Sequence, residues 1–166
     1  MTLFREVLFM NYQNSSELDL TSLLSLSFST LIDNLNDRMG ELGFGDIRPA
    51  HGFLFTYITP NGATGIEIAE YLGITKQAVS KMVSYLEEHG YVMRQNHPTD
   101  KRGKIIILTE RGELVMKSKE KILSELEQHW IEKIGAERMQ MLKEDLTKLV
   151  YEANGGKLSS KSKPVW

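Results

Sequence analysis

Two short segments between residues 64 and 90 constrain the fold more than any other part of the sequence. The first opens with Thr64 and, three residues later, Glu67. This spacing predicts a capping box. In such a box the threonine hydroxyl accepts a hydrogen bond from a backbone N–H in the first turn of the helix, and the glutamate side chain reaches back to the backbone N–H of the threonine. Gly73 then ends the helix, and Thr75 is placed to cap the next one. Two short helices joined by a tight turn with a glycine predict a helix-turn-helix.

The second helix, Lys76–Gly90, is predicted to bury one face and expose the other. Its apolar residues recur at the spacing of one helical face, at Val79, Met82, Val83 and Leu86. The opposite face carries cations and hydrogen-bonding groups suited to phosphates and base edges, at Lys76, Gln77, Ser80, Lys81 and Ser84. Taken alone, this helix is equally compatible with an ordinary solvated amphipathic helix, so the neighbouring segments decide its interpretation.

A strand-like pattern follows the second helix. Residues 91–95 and 104–108 are rich in β-formers, and the basic, turn-forming segment 96–103 separates them. Two strands with a basic tip directly after a helix-turn-helix predict a wing. An arginine at such a tip, here Arg102, suits the negative potential of a narrow minor groove.

Long amphipathic helices are predicted on both sides of this core. One runs from a proposed N-cap at Ser16 to about Leu42, and a shorter helix begins near Pro49. Thr109 caps a helix that reaches about Ile134, and a last helix ends before Asn154. A small winged domain cannot bury all of these apolar faces, which favours two-fold dimerisation through the flanking helices.

The predicted fold is therefore mainly α (α+β), with a winged helix-turn-helix core between long N- and C-terminal dimerisation helices. Residues 1–16 lack a clear period, and we interpret them as a flexible arm or as partly a start-site artefact. The predicted divisions are an N-terminal arm at 1–16, dimerisation helix 1 at 17–45, the DNA-binding region at 46–109 (helix-turn-helix 64–90, wing 91–109), C-terminal dimerisation helices at 110–153 and a disordered tail at 154–166.

Charge and composition narrow the class of partner. The net charge is −2, yet residues 76–104 carry six cations and three acids, which leaves a local charge of +3 on an otherwise acidic chain. Zero cysteines exclude disulfides and thiol chemistry and fit a cytoplasmic protein. We find neither a membrane-spanning stretch nor a signal peptide, and we expect no membrane partner.

The sequence offers no catalytic or metal-binding constellation. The histidines lack metal-ligand spacing and lie apart, at His51, His89, His97 and His129. A nucleophile–base arrangement and a phosphate-cradling glycine loop are also missing. We therefore expect no enzymatic activity, no cofactor and no metal.

The run from Ile66 to Gly112 resembles the winged helix-turn-helix core of the MarR family of transcriptional regulators. The matching positions are Ile68-Ala69, Ser80, Leu86-Glu87, Gly90-Tyr91-Val92, Arg94, Asp100-Lys101-Arg102 and Leu108-Thr109 with Gly112. The resemblance implies a homodimeric repressor on palindromic operator DNA, which many members of the family leave when a small aromatic or anionic ligand binds.

By position, the resemblance also implies roles for individual residues. Lys76, Gln77, Ser80 and Lys81 match recognition-helix contacts, and Ser84 continues the same polar face. In the wing, Arg102 matches the arginine that enters the minor groove, Asp100 matches the acid that positions the basic residues, and Lys101 and Lys104 would contact phosphates.

The resemblance also implies a pocket for a small effector. In the family the pocket lies between the first, second and fifth helices, where the candidate residues are Asp37, Arg38, His51, Phe55 and Met116. An arginine or histidine beside aromatic rings could hold a carboxylate or a phenol.

The alternative function is a winged-helix protein-interaction module that does not read DNA. That module would expose an apolar recognition face, which the polar face of the second helix contradicts.

Overall fold

The computed structural model describes residues 18–99 and 103–157, which form six helices and a two-stranded sheet. In chain order the elements are α1 (Leu20–Glu41), α2 (Pro49–Ile58), α3 (Gly65–Leu72), α4 (Lys76–Glu88), β1 (Val92–Asn96), β2 (Lys104–Leu108), α5 (Glu110–Ile134) and α6 (Ala136–Ala153). This order confirms the predicted fold class. The arm predicted at 1–16 and the tail from residue 158 onward lie outside the described residues.

Threonine caps start three of the helices, as the sequence predicts. Thr64 and Glu67 form the capping box of α3, and Gly73 ends that helix at a positive φ of 66°. Thr75 accepts a hydrogen bond from the backbone N–H of Ala78 in α4, and Thr109 caps α5 in the same way. The helix-turn-helix therefore follows from local sequence signals.

The predicted start of the first helix is wrong. The helix begins at Leu20, and its N-cap is Asp19 rather than Ser16. The Asp19 carboxylate accepts from the backbone N–H of Ser22 at 2.7 Å. A carboxylate both satisfies this N–H group and carries negative charge at the positive end of the helix dipole, so it caps better than a serine one turn earlier.

The wing is an antiparallel hairpin with Val92 opposite Leu108 and Asn96 opposite Lys104. A short bridge, which the sequence does not reveal, joins it to the helix-turn-helix: Ala63 and Ile106 exchange backbone hydrogen bonds of 3.1 and 2.8 Å. Gly62, at a φ of +74°, lies so close to the wing that a Cβ there would meet Ile107 at 2.7 Å. The wing is thus attached to the start of α3 as well as to the end of α4.

The core lies beneath the helix-turn-helix. Leu54, Ile68, Leu86 and Tyr91 are fully buried there. The outer helices contribute less, since α1 buries only Leu35 and Met39, and α6 buries only Met139. Large apolar side chains remain exposed on α1, α5 and α6, including Leu20, Leu24, Phe28, Leu114, Met141, Leu142, Leu149 and Val150. Within the described ranges, no helix combines the length and the apolar content that a bilayer crossing needs.

The corner between α4 and β1 is packed tightly against the start of α5. A Cβ on Gly112 would lie 2.2 Å from the carbonyl oxygen of Tyr91, so only glycine permits this approach. The backbone N–H of Thr109 donates to the same carbonyl at 3.1 Å, and its hydroxyl donates to the carbonyl of Gly90 at 2.6 Å. The end of α4 is therefore anchored to α5 through backbone contacts.

Candidate nucleic-acid interface

The two faces of α4 differ as the sequence predicts. Val79, Val83 and Leu86 are buried on the inner face. The predicted contact residues are all exposed on the outer face, namely Lys76, Gln77, Ser80, Lys81 and Ser84. In the part of the chain that the structure describes, no side-chain hydrogen bond or ion pair involves Lys76, Gln77, Ser80 or Lys81. These groups are available to an external partner.

The N-terminal turn of α4 is positively polarised. It contains no acidic residue and begins at Lys76. The unpaired N–H groups of the first turn add the positive end of the helix dipole to the charge of this lysine. Such an end attracts anions, phosphates in particular.

The C-terminal half of α4 is tied to the wing by residues whose roles the sequence does not reveal. The Arg94 guanidinium of β1 forms an ion pair with Glu87 and donates to the Ser84 hydroxyl at 3.4 Å. The Arg94 backbone N–H also donates to Glu87 at 3.3 Å. Ser84 therefore already has an intramolecular partner, unlike the contact candidates that precede it on α4. The two residues of this ion pair lie on different elements on either side of the Gly90 corner, so a pattern within one helix or one strand does not detect the pair.

A groove of about 440 Å³ lies between α4, the wing and the start of α3. Its polar lining brings together Lys76, Ser80, Arg94 and Lys104, with Thr64 at the edge. The Lys104 ammonium also donates to the Asn96 side chain across the hairpin. The remaining predicted wing residues, Asp100, Lys101 and Arg102, lie outside the described residues. Three of the predicted DNA contacts thus line one basic groove.

Two of the hypothesised effector residues are core residues. Phe55 is fully buried. His51 is 7% exposed, and its Nδ1 accepts from the backbone N–H of Arg48 at 3.2 Å. Burial lowers the pKa of His51, and the Arg48 charge lowers it further, while Asp46 opposes the shift. Both side chains therefore have structural roles in α2.

The other three candidates lie on α1 and α5. Asp37 is exposed, Arg38 forms an ion pair with Glu125 of α5, and Met116 packs half-buried against the core. An open depression of about 540 Å³ lies nearby, lined by Leu42, Gly43, Phe44, Glu110, Arg111 and Leu114. None of the five candidates lines this depression or the groove beside α4.

A polar cluster behind α4 joins three parts of the chain that the sequence keeps apart. The Tyr91 hydroxyl donates to Asp46 at 2.8 Å and accepts from Arg111 at 3.1 Å. These residues come from the α1–α2 connection, the α4–β1 corner and α5. No single motif contains all three residues, so the sequence patterns did not reveal the cluster. Within residues 18–99 and 103–157, no group of three or more His, Asp or Glu side chains is arranged to hold a metal ion.

Comparison with known families and structures agrees with this architecture. A sequence model of the MarR family matches residues 46–103, from the α1–α2 connection to the residue before β2.

Solved structures share the fold over most of the chain. The transcriptional regulator Tm0710 from Thermotoga maritima is 23% identical, covers 83% of this chain and 97% of its own, and superposes with a TM-score of 0.63. A MepR mutant from Staphylococcus aureus bound to an oligodeoxyribonucleotide is 24% identical over 82% of this chain and 99% of its own, with a TM-score of 0.60. The transcriptional repressor CouR bound to a 23-mer DNA duplex is 24% identical over 81% of this chain and 94% of its own, with a TM-score of 0.61.

Proposed function

We propose that the chain, whose residues 46–103 match a sequence model of the MarR family, is a transcriptional regulator that binds palindromic operator DNA as a homodimer. The observation that carries the proposal is the outer face of α4. Its cationic and hydrogen-bonding side chains are exposed, its first turn lacks acids, and a basic groove separates it from the wing. A recognition helix that enters the major groove requires this combination.

The contacts divide into phosphate and base contacts. Lys76 and Lys81 border the exposed face of α4, where lysines act as phosphate contacts. Gln77 and Ser80 have shorter, neutral side chains for base edges, and glutamine can pair bidentately with adenine. Lys104 adds a phosphate contact from the wing. From the family resemblance, Arg102 enters the minor groove, with Lys101 on the backbone and Asp100 positioning both.

Dimerisation is supported by the apolar surface of the outer helices. On α1, Phe28 is 66% exposed and Leu24 is 44% exposed, and α6 exposes Met141 and Leu149. Apolar surface of this extent rarely faces water in a soluble monomer. A two-fold axis through α1 and α6 would bury it and would present two copies of α4 about one turn of DNA apart, roughly 34 Å.

We further propose that the chain represses transcription and that a small ligand releases it from DNA. The fold likeness to CouR, a repressor bound to DNA, supports the direction of regulation. The ligand is a small aromatic or anionic molecule held near α1, α2 and α5, with Asp37, Arg38, His51, Phe55 and Met116 as the candidate surroundings. Arg38 is the group best suited to a carboxylate, provided that its pairing with Glu125 is exchanged for the ligand. Thermal-shift screening with aromatic acids, followed by release of bound DNA, tests this part.

Selection from random duplexes followed by gel shift tests DNA reading. We expect a palindromic site and strongly salt-dependent binding. Gln77→Ala should lose about 1–3 kcal/mol of discrimination at one base position per half-site. The matched control is Gln128→Ala, an exposed glutamine on α5, which should leave binding unchanged.

The same assay decides between the two functional classes. If neither Gln77→Ala nor Arg102→Ala alters binding or its salt dependence, the chain does not read DNA through this face. The winged helix would then be a protein-interaction module.

A further inference from the structure

Tyr91 occupies the corner where α4 ends and the wing begins. Its side chain is fully buried, and its hydroxyl has two partners from distant parts of the chain. It donates to Asp46 Oδ1 at 2.8 Å and accepts from Arg111 Nη2 at 3.1 Å. One oxygen therefore joins the α1–α2 connection to the first turn of α5 through the end of α4.

The aromatic ring reinforces both attachments. The Arg111 guanidinium lies 4.7 Å from the centre of the Tyr91 ring, a cation–π distance. Phe44, in the same connection as Asp46, meets the ring edge-on with centroids 6.4 Å apart. Each of the two flanking segments thus contacts both the ring and the hydroxyl.

A second tyrosine, Tyr85 of α4, makes a weaker version of the same contact. The Tyr85 hydroxyl lies 3.5 Å from Asp46 Oδ2, at the limit of a hydrogen bond. Asp46 can therefore accept hydrogen bonds from Tyr85 in the last turns of α4 and from Tyr91 just after this helix. The longer distance at Tyr85 predicts that this hydroxyl matters less than that of Tyr91.

The protonation of the cluster suits this arrangement. Burial raises the pKa of the Tyr91 hydroxyl, so it keeps the proton that it donates to Asp46. The hydrogen bond to Tyr91 raises the pKa of Arg111, which stays a cation and a donor. The direction of donation is therefore Arg111 to Tyr91 to Asp46 throughout the neutral range.

A buried hydroxyl needs only one partner to offset its desolvation. The second partner here adds a geometric constraint, because the two partners belong to segments outside the helix-turn-helix. We infer that the Tyr91 hydroxyl is a positioning group for α4. It fixes the orientation of the recognition helix relative to the α1–α2 connection and to α5. These segments lead to α1 and α6, the helices through which two copies of the chain would meet. Its consequence for DNA rests on the function proposed above.

The absence of cysteine allows the orientation to be measured without DNA. Ser80→Cys on α4 and Ser124→Cys on α5 are conservative changes at exposed positions, and each takes one spin label. Dilution with unlabelled chain leaves only distances within one chain in a pulsed electron-resonance experiment. We expect one narrow distance distribution when Tyr91 is present.

Tyr91→Phe keeps the ring and removes only the hydroxyl. We expect the distance distribution between the labels to broaden or shift by several ångströms, with Asp46→Ala producing the same change. Tyr85→Phe is the matched control and should change the distribution less. A distribution in Tyr91→Phe identical to that of the parent chain overturns the inference.

Binding to operators of altered spacing gives the functional readout. Lengthening the spacer between half-sites by one base pair should weaken binding of the parent chain about tenfold or more, because the two recognition helices are held at a fixed separation. Tyr91→Phe should reduce this discrimination at least about threefold, whereas its salt dependence stays unchanged because no phosphate contact is lost. A general loss of stability would lower binding to all spacings alike.

The label distances test the role of Tyr91, and DNA selection tests the proposed function separately. If the parent chain selects no DNA sequence, the proposed function fails, while the label distances still decide the role of Tyr91. If the parent chain binds DNA and Tyr91→Phe retains its spacing preference, the hydroxyl does not position α4.

Discussion

The two helices of the helix-turn-helix begin alike but carry different charges in their first turns. Thr64 caps α3 and Thr75 caps α4, each by accepting from the backbone N–H three residues on. In α3 that third residue is Glu67, whose carboxylate returns to the Thr64 backbone at 2.7 Å. In α4 it is Ala78, and the first turn has no acid.

Under the proposed function, this difference separates a supporting helix from one that contacts DNA. A carboxylate in the first turn stabilises a helix because it lies at the positive end of the dipole. The same carboxylate on α4 would face a phosphate backbone. The first turn of α3 is therefore neutralised within the chain, while that of α4 is left positive for an external anion.

The buried sides of the two helices should be energetically equivalent, and this gives the largest predicted effect. Leu72 of α3 and Leu86 of α4 are both buried in the same core. Leu72→Ala and Leu86→Ala should each lower the free energy of unfolding by about 2–5 kcal/mol, since each leaves a cavity. Urea denaturation measures the loss. A much smaller cost at Leu86 would mean that α4 is not held by its apolar face.

Giving α4 the acid that α3 possesses should separate stability from binding. Ala78→Glu completes a capping box and should stabilise the helix by about 0.3–1 kcal/mol. The new carboxylate should weaken DNA binding at least about tenfold through repulsion of phosphates. Thermal unfolding and gel shift measure the two effects, and Ala78→Gln is the neutral control. DNA binding unchanged by the glutamate would place the phosphates elsewhere.

Removing the cap of the supporting helix should affect stability without altering base discrimination. Thr64→Ala deletes the hydroxyl that accepts from the Glu67 N–H at 3.3 Å and should cost about 1 kcal/mol of unfolding free energy. The ratio of affinities for the selected site and for a mutated site should remain that of the parent chain. A changed ratio would show that α3 also reads bases.

The smallest effect concerns the charge of Glu67. Hydrogen bonds from Thr64 hold the pKa of this carboxyl below its ordinary value of 4.5. The ionised form therefore stabilises the folded state above about pH 4.5, and this contribution is lost as the pH falls through the lowered pKa. The stability difference between the parent chain and Glu67→Gln should shrink in acid. Parallel stability curves from neutral pH down to acid would contradict the capping role of the charge.

The local parts of the fold follow from the sequence, whereas the contacts between elements do not. Caps such as Thr64 and Thr109 and the apolar stripe of α4 depend on residues three or four positions apart, which a periodic pattern records. The pairing of Glu87 with Arg94 and the cluster at Tyr91 join residues on different elements. Their partners are chosen by packing, so they became visible only in three dimensions.

The candidate site likewise has features that the sequence predicts and contacts that depend on packing. The exposed face of α4 could be predicted because its polar residues alternate with a buried stripe. Ser84 lies on that face, yet its hydroxyl accepts from Arg94, a contact that depends on how the wing folds back. The effector candidates were chosen by element alone, and Phe55 and His51 proved to be core residues, because the packing of α2 buries them.

The salt dependence of operator binding measures whether Lys76 and Lys81 of α4 contact phosphates. The slope of log affinity against log salt should fall by about 0.9 for each lost phosphate contact. We therefore expect that fall for Lys76→Ala and for Lys81→Ala. The control is Lys133→Ala, in the last turn of α5, which should leave the slope unchanged. Equal slopes for the parent chain and all three variants would show that neither Lys76 nor Lys81 contacts a phosphate.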